Sequence, residues 1–200
     1  MKKLVLLAVL ALALPTAVFA GSSIDYTNSG GTLSGSNSGL SLSGSVLIAV
    51  NGNGGLITGS DLGSMSFETG ALTSGSLQTG GTFASGGWFT ITGNGSNGIP
   101  TGTLFTGTFS GPVTWTMITL SNGTHNYTLT GSLTGTIGSG YSTVGSTVQL
   151  TVNTGKGFFN GCTKISSGDT NVVVPEAGSL SLLGTGLIAM GGMIRRKLKA

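Results

Sequence analysis

Apolar and polar residues alternate along much of the middle of the chain. The clearest stretches are residues 113–117 (VTWTM), 127–129 (YTL) and 148–152 (VQLTV). Successive side chains of a β-strand point to opposite faces, so this alternation predicts strands with one dry and one wet face. No stretch between residues 21 and 173 has the 3.6-residue period of an amphipathic helix.

Turn signals separate the alternating stretches. Asn and Gly cluster at residues 51–55 (NGNGG), 94–98 (NGSNG) and 122–123 (NG). Asn-Gly favours positive φ at both central turn residues, which suits a tight hairpin. Residues 111–137 are the strongest hairpin candidate, with one strand to about Leu120 and a return strand through Tyr127.

These patterns predict an all-β domain over residues 21–173. We expect eight to twelve short antiparallel strands in a two-sheet sandwich, with Ser and Thr on the wet faces. Residues 101–109 (TGTLFTGTF) and 130–137 (TGSLTGTI) resemble each other. A β-solenoid is therefore the alternative fold, although the spacing of such repeats is not constant along the chain.

Charge is scarce and concentrated at the two ends. Charged residues make up 6% of the chain, against about 25% in typical globular domains. Residues 21–174 hold two lysines and four carboxylates, a net charge of −2, so the overall charge of +3 belongs to the termini. The middle of the chain lacks the basic surface that nucleic-acid binding requires.

The N-terminus has the layout of a secretory signal peptide over residues 1–20. Two lysines precede the apolar run from Leu4 to Leu14, which is short for a membrane span. Val18 and Ala20 place small residues at the −3 and −1 positions of a cleavage site. We therefore expect signal peptidase to cut after Ala20 and the body to be exported.

The C-terminus combines a short motif, an apolar stretch and a basic cluster. Residues 177–194 carry no charge and would span about 27 Å as a helix, close to the thickness of a bilayer core. The basic cluster at 195–199 begins with Arg195, Arg196 and Lys197, and by the positive-inside rule it should stay cytoplasmic. This predicts a transmembrane helix at 177–194, with an ordinary C-terminal anchor as the simpler alternative.

The order of these features resembles the PEP-CTERM sorting domain over residues 174–200. The resemblance rests on the motif residues and the stop-transfer cluster: Val174, Pro175, Glu176, Gly178, Ser179, Leu180, Arg195, Arg196 and Lys197. Position 177 is Ala, where the family motif has a second proline.

This resemblance implies a Gram-negative bacterial host and processing by exosortase. It implies an intermediate anchored in the inner membrane, and then delivery to the cell surface or the extracellular matrix. The function it favours is that of a non-catalytic surface or matrix protein associated with exopolysaccharide and biofilm.

Catalytic chemistry has little support in residues 21–173. His125, the one histidine of the chain, follows the 122–123 turn signal and is predicted to be exposed; no nucleophile motif accompanies it. Asp61 and Glu68 are the only close pair of carboxylates and are predicted to be solvated surface acids. Cys162 is a lone cysteine, predicted to be a partly buried apolar residue; an intermolecular disulfide is the alternative. We therefore expect no enzymatic activity, no cofactor and no metal site.

Aromatic residues offer the second class of function, a carbohydrate-binding or adhesive module. Stacking on sugar rings would require four aromatic side chains to share one exposed face: Trp88, Trp115, Tyr127 and Tyr141. Aromatic residues in strands are more often part of the core, and the alternation around Trp115 favours that position for it. Trp88 follows a Gly-Gly pair and is the stronger candidate for exposure.

Overall fold

Strands account for nearly all regular structure in the part of the chain that the computed structural model describes, residues 22–52, 54–143 and 145–174. Their bounds are β1 (Ser22–Ser29), β2 (Thr32–Ser36), β3 (Gly39–Gly52), β4 (Gly55–Glu68), β5 (Leu72–Ser76), β6 (Gly80–Phe83), β7 (Gly86–Asn94), β8 (Thr101–Phe109), β9 (Val113–Thr119), β10 (His125–Ile137), β11 (Ser146–Asn153), β12 (Cys162–Lys164) and β13 (Ser167–Val174). A 3-10 turn at Ser96–Gly98 is the only helical element of these residues.

Residues Ser23–Val173 form one compact unit. The segments Met1–Ser22 and Val174–Ala200 are not part of this unit, and apart from Ser22 and Val174 they lie outside the described residues. The predicted signal peptide of residues 1–20 and the predicted transmembrane helix of residues 177–194 therefore lie outside them as well. The described residues contain no helix that is long and apolar enough to cross a membrane.

The hairpin predicted at residues 111–137 is confirmed. Strands β9 and β10 pair antiparallel, with Trp115 opposite Leu129 and Met117 opposite Tyr127. Between them the Asn122 side chain accepts hydrogen bonds from the backbone N–H and the hydroxyl of Thr124, at 3.0 and 2.8 Å. The short polar side chain and the positive φ of Gly123 suit the tight turn.

Hydrogen bonding links all thirteen described strands into one sheet. Strand β10 pairs with β11 along one edge, and with β9 and then β8 along the other edge. The path from β11 runs through β13, β1, β3, β4, β7 and β8 back to β10, so these eight strands form a closed ring. Closure leaves the ring strands without a free edge along this path.

Two short extensions leave this ring. Strands β2 and β12 continue from the first residues of β3, while β9, β6 and β5 continue from the first residues of β10. Both β3 and β10 are long enough to pair with two successive neighbours on one edge. Strand β3 has 14 residues and β10 has 13.

The core contains two groups of aromatic rings. The phenylalanine cluster consists of rings whose centroids lie 5.8 to 6.1 Å apart: Phe67, Phe89, Phe105 and Phe109. The tryptophan cluster consists of Trp115, Tyr127 and Phe159. All seven side chains are at most 1% exposed, so each buries a large apolar surface.

The prediction of an all-β, antiparallel fold is confirmed for the described residues, whereas two of its details differ. The strands number thirteen rather than eight to twelve, and they belong to one sheet rather than two. The sandwich is therefore not confirmed. The pairs whose register is defined are antiparallel, and they join distant segments such as β10 with β8, unlike the parallel stacking of a solenoid.

Candidate functional site

The four aromatic residues considered for sugar stacking do not share one face. Trp115 and Tyr127 are 1% and 0% exposed, and their rings stack inside the sheet with centroids 4.9 Å apart. The Trp115 indole N–H donates to the Leu77 carbonyl at 2.9 Å. These two side chains cannot reach a sugar, because a buried ring with a satisfied polar group belongs to the core.

Tyr127 also holds two segments of backbone together. Its hydroxyl donates to the Gln78 carbonyl at 2.7 Å and accepts from the Phe159 backbone N–H at 3.0 Å. Gln78 lies in the turn between β5 and β6, and Phe159 lies in the loop between β11 and β12. Tyr127 therefore fixes two connections that are remote from it in sequence.

Trp88 is the exposed aromatic that the sequence favoured. Its side chain is 44% exposed, and its indole N–H donates to Glu68 Oε2 at 3.2 Å across the β4–β7 pair. Gly87, at φ +67°, brings the backbone so close to β4 that a Cβ there would lie 1.9 Å from the Glu68 carbonyl oxygen. Only glycine fits at this position, and it sets the Trp88 ring beside a carboxylate on the surface.

Tyr141 is the second exposed aromatic, at 55%. It lies in the connection from β10 to β11, where its carbonyl accepts a hydrogen bond from the Ile137 N–H. Strand register puts Ile137 opposite Phe105, in the middle of β8, whereas Gly86, at the start of β7, lies opposite Phe109, the last residue of β8. Trp88 and Tyr141 therefore lie beside different parts of β8.

His125 is buried, at 8% exposure, so the prediction of an exposed turn histidine is wrong. Its ring stacks on the exposed ring of Phe158 with centroids 4.5 Å apart. Its Nδ1 lies 3.0 Å from the Thr119 hydroxyl. Phe158 follows His125 by 33 residues in the chain, so no local sequence pattern indicates that its ring covers the histidine.

The carboxylates Asp61 and Glu68 are exposed, as predicted. Asp61 Oδ1 accepts from the Gly63 backbone N–H at 3.1 Å and from the Asn94 side chain at 3.0 Å. Glu68 Oε2 accepts the hydrogen bond from the Trp88 indole N–H. Each acid therefore stabilises local structure. The described residues contain no group of three or more His, Cys, Asp or Glu side chains placed to hold a metal ion.

Cys162 is exposed, which corrects the prediction of a partly buried residue. It begins β12, a three-residue strand that pairs with β2 opposite Ser34. An outward-facing position on a short strand leaves its thiol uncovered.

A polar groove on the outer face is the feature that sequence reasoning missed. It has a volume of about 450 Å³ and runs across β9, β10, β11, β13 and β1. The Asn171 amide donates to Asp25, and the Thr27 hydroxyl donates to Asp169 at 2.8 Å. Gln149 lies between Thr130 and Asp169 in strand register. The groove was missed because β1 and β13 are separated by more than 130 residues.

The sorting and cleavage residues lie almost wholly outside the described residues. Val174 is the last residue of β13 and is buried. Outside them lie the remaining motif residues, the basic cluster and the cleavage pair: Pro175, Glu176, Gly178, Ser179, Leu180, Arg195, Arg196, Lys197, Val18 and Ala20. No family model matches the chain, and no curated protein or solved structure shows significant similarity to it.

Proposed function

We propose that this protein is a non-catalytic exported protein that exosortase sorts to the cell surface or extracellular matrix. The observation that carries the proposal is the order of features at the C-terminus: the Val174-Pro175-Glu176 motif, the uncharged stretch 177–194 and the basic cluster 195–199. The apolar N-terminal run with a small-residue cleavage pair supports export through the same membrane.

The surface of the β unit suits a hydrated matrix. Threonine side chains form cross-strand pairs on its outer face, such as Thr114 with Thr130 and Thr116 with Thr128. The Ser64 and Thr92 hydroxyls lie 2.7 Å apart across β4 and β7. Neutral hydroxyls can hydrogen-bond to water or polysaccharide without a net charge on the surface, which supports an association with exopolysaccharide.

The mass of the protein recovered from its host tests the sorting proposal. We expect an N-terminus at Gly21 and a C-terminus near residues 174–178. A host without exosortase should retain Ala200. The variant Glu176→Ala should block removal of the tail, while Ser167→Ala, an exposed change outside the motif, should not. An intact Ala200 in the normal host would instead indicate a permanent anchor.

A second candidate function is carbohydrate binding. The polar groove offers carboxylate, amide and hydroxyl groups that match the hydroxyls of a sugar, and Trp88 offers an exposed ring. A glycan array probed with the full-length chain would measure this. Saturable binding that is lost in Gln149→Ala assigns it to the groove, loss in Trp88→Ala assigns it to the ring, and Thr106→Ala is the control. Absence of saturable binding would reject the candidate.

A further inference from the structure

A second cavity opens at one end of the closed ring, on the inner side of the sheet. The inward residues Tyr26, Val50 and Ile57 lie side by side there, because Tyr26 pairs with Val50 and Val50 pairs with Ile57. The loop between β7 and β8 and the last residues of β10 complete the wall. The cavity has a volume of about 610 Å³, within the range of about 300–1,000 Å³ that is typical of small-molecule sites.

The wall of this cavity is aliphatic and uncharged. Six branched aliphatic side chains line it: Ile24, Val50, Ile57, Ile99, Leu104 and Ile137. No charged residue lines it among the described residues. Hydroxyls of Thr101, Thr103 and Ser139 lie among its lining residues, and all three residues are exposed. An apolar wall with a few polar groups is the usual composition of a site for an uncharged organic molecule.

Tyr26 is the one buried residue with a polar side-chain group among the described residues that line this wall. The residue is 4% exposed, and burial raises the pKa of its hydroxyl from 10.0 to about 12. The group therefore stays a neutral hydrogen-bond donor at any physiological pH. Tyr26 lines the cavity, so its hydroxyl can donate a hydrogen bond to a molecule inside it.

We propose that this cavity binds a small, uncharged, mainly aliphatic molecule that carries one oxygen acceptor, such as a ketone or an ester. The acceptor takes a hydrogen bond from the Tyr26 hydroxyl, and the aliphatic part fills the space between Val50, Ile57 and Leu104. A charged ligand is disfavoured because a buried charge without a partner is costly. The proposal concerns the inside of the β unit and is independent of export and sorting.

Binding can be measured with a neutral fluorescent probe, N-phenyl-1-naphthylamine, on the purified full-length chain. The probe should bind saturably with about one site per chain. The ketone 2-nonanone should displace it, and so should n-nonane, which has the same chain length and no acceptor. Failure of the probe to saturate, or failure of both compounds to displace it, would overturn the proposal.

Two variants locate the site and test the hydrogen bond. Tyr26→Phe should weaken 2-nonanone binding by about five- to fifteenfold while changing n-nonane binding by less than about twofold, because it removes only the hydroxyl. Tyr141→Phe, which removes an exposed hydroxyl, should change neither. Ile57→Trp should weaken both compounds by about tenfold or more by filling the cavity, with Ile118→Trp as the exposed control.

Each variant has a result that would contradict the proposal. Equal losses for the two compounds in Tyr26→Phe would reject the hydrogen bond, and unchanged binding in Ile57→Trp would place the ligand elsewhere. If Ile57→Trp does not fold, the ratio of the two affinities in Tyr26→Phe still decides the question. The C-terminal mass of the protein from its host stays a separate measurement, so failure here does not affect the sorting proposal.

Discussion

The rings of Trp115 and Tyr127 stack on each other inside the sheet, with an interplanar angle of 16°. They lie on β9 and β10, two residues out of register, since Trp115 is opposite Leu129 and Tyr127 is opposite Met117. This diagonal arrangement is within reach of large aromatic side chains on one face of an antiparallel pair. The aromatic residues that sequence made candidates for ligand binding are thus divided between the core and the surface.

Replacing each tryptophan with alanine should give very different losses of stability. Trp115→Ala removes a 1% exposed ring and should lower the free energy of unfolding by about 3–5 kcal/mol. Trp88→Ala removes a 44% exposed ring and should cost less than about 1 kcal/mol. Urea unfolding of both variants measures this. Similar losses in the two variants would contradict the assignment of Trp115 to the core.

Tyr127→Phe should destabilise the protein although it removes a single oxygen atom. The change leaves the Gln78 carbonyl without its 2.7 Å partner and the Phe159 N–H without its 3.0 Å partner. We expect a loss of about 1–3 kcal/mol, because a buried group that loses its partner retains the cost of desolvation. Chemical denaturation checks this, with Tyr141→Phe as the control. A neutral Tyr127→Phe would mean that water replaces both contacts.

Gly168 and Asn28 should be energetically coupled. The Asn28 side chain is fully buried, and its amide donates to Ser45 Oγ at 2.6 Å. A Cβ at position 168 would lie 2.5 Å from Asn28 Oδ1, which has no hydrogen-bond partner among the described residues. Gly168→Ala should therefore cost about 1–3 kcal/mol through overpacking.

The coupling is measured by a double-mutant cycle. Gly168→Ala combined with Asn28→Ala should cost at least about 1 kcal/mol less than the sum of the single changes, because the shortened side chain removes the clash. Gly111→Ala is the control, since a Cβ there has no atom within 4 Å. Additive effects of the two changes would show that the backbone of β13 shifts away from Asn28.

Tyr26 should make the protein less stable at high pH. Its pKa is 10.0 in the unfolded chain and about 12 when buried, so above pH 10 the unfolded state releases the proton first. The contribution of the Tyr26 hydroxyl to the free energy of unfolding is at its maximum below pH 10. It falls as the pH rises towards 12, by about 1.4 kcal/mol for each pH unit. The difference in unfolding free energy between the wild type and Tyr26→Phe, measured across this range, isolates the effect. A constant difference would show that the hydroxyl is hydrated.

The basic cluster should control retention in the membrane. Replacing Arg195, Arg196, Lys197 and Lys199 with Ser removes the charges that stop transfer, so the unprocessed tail should pass through the membrane. Fractionation of a host without exosortase should then find the variant in the soluble periplasmic fraction and the wild type in the membrane fraction. Equal retention of both proteins would contradict the proposed topology.

The strands and their local turns could be predicted because they depend on neighbours in the sequence. The alternation in residues 113–117 and the Asn122-Gly123 pair were sufficient for the β9–β10 hairpin, which buries Val113 and Trp115 and exposes Thr114 and Thr116. By contrast, His125 and Cys162 were assigned the wrong exposure. Burial of His125 depends on Phe158, and exposure of Cys162 depends on the end of the sheet at which β12 lies.

The sequence by itself determined an all-β body, the hairpins at Asn-Gly turns and the scarcity of charge between the two termini. Only the tertiary structure decided that the strands form one closed sheet, that Tyr127 is internal, and that Tyr26 lines a cavity at its end. The reason is physical. Alternation fixes which side chains share a face of a strand, but pairings such as β10 with β8 or β11 with β13 depend on packing between distant segments.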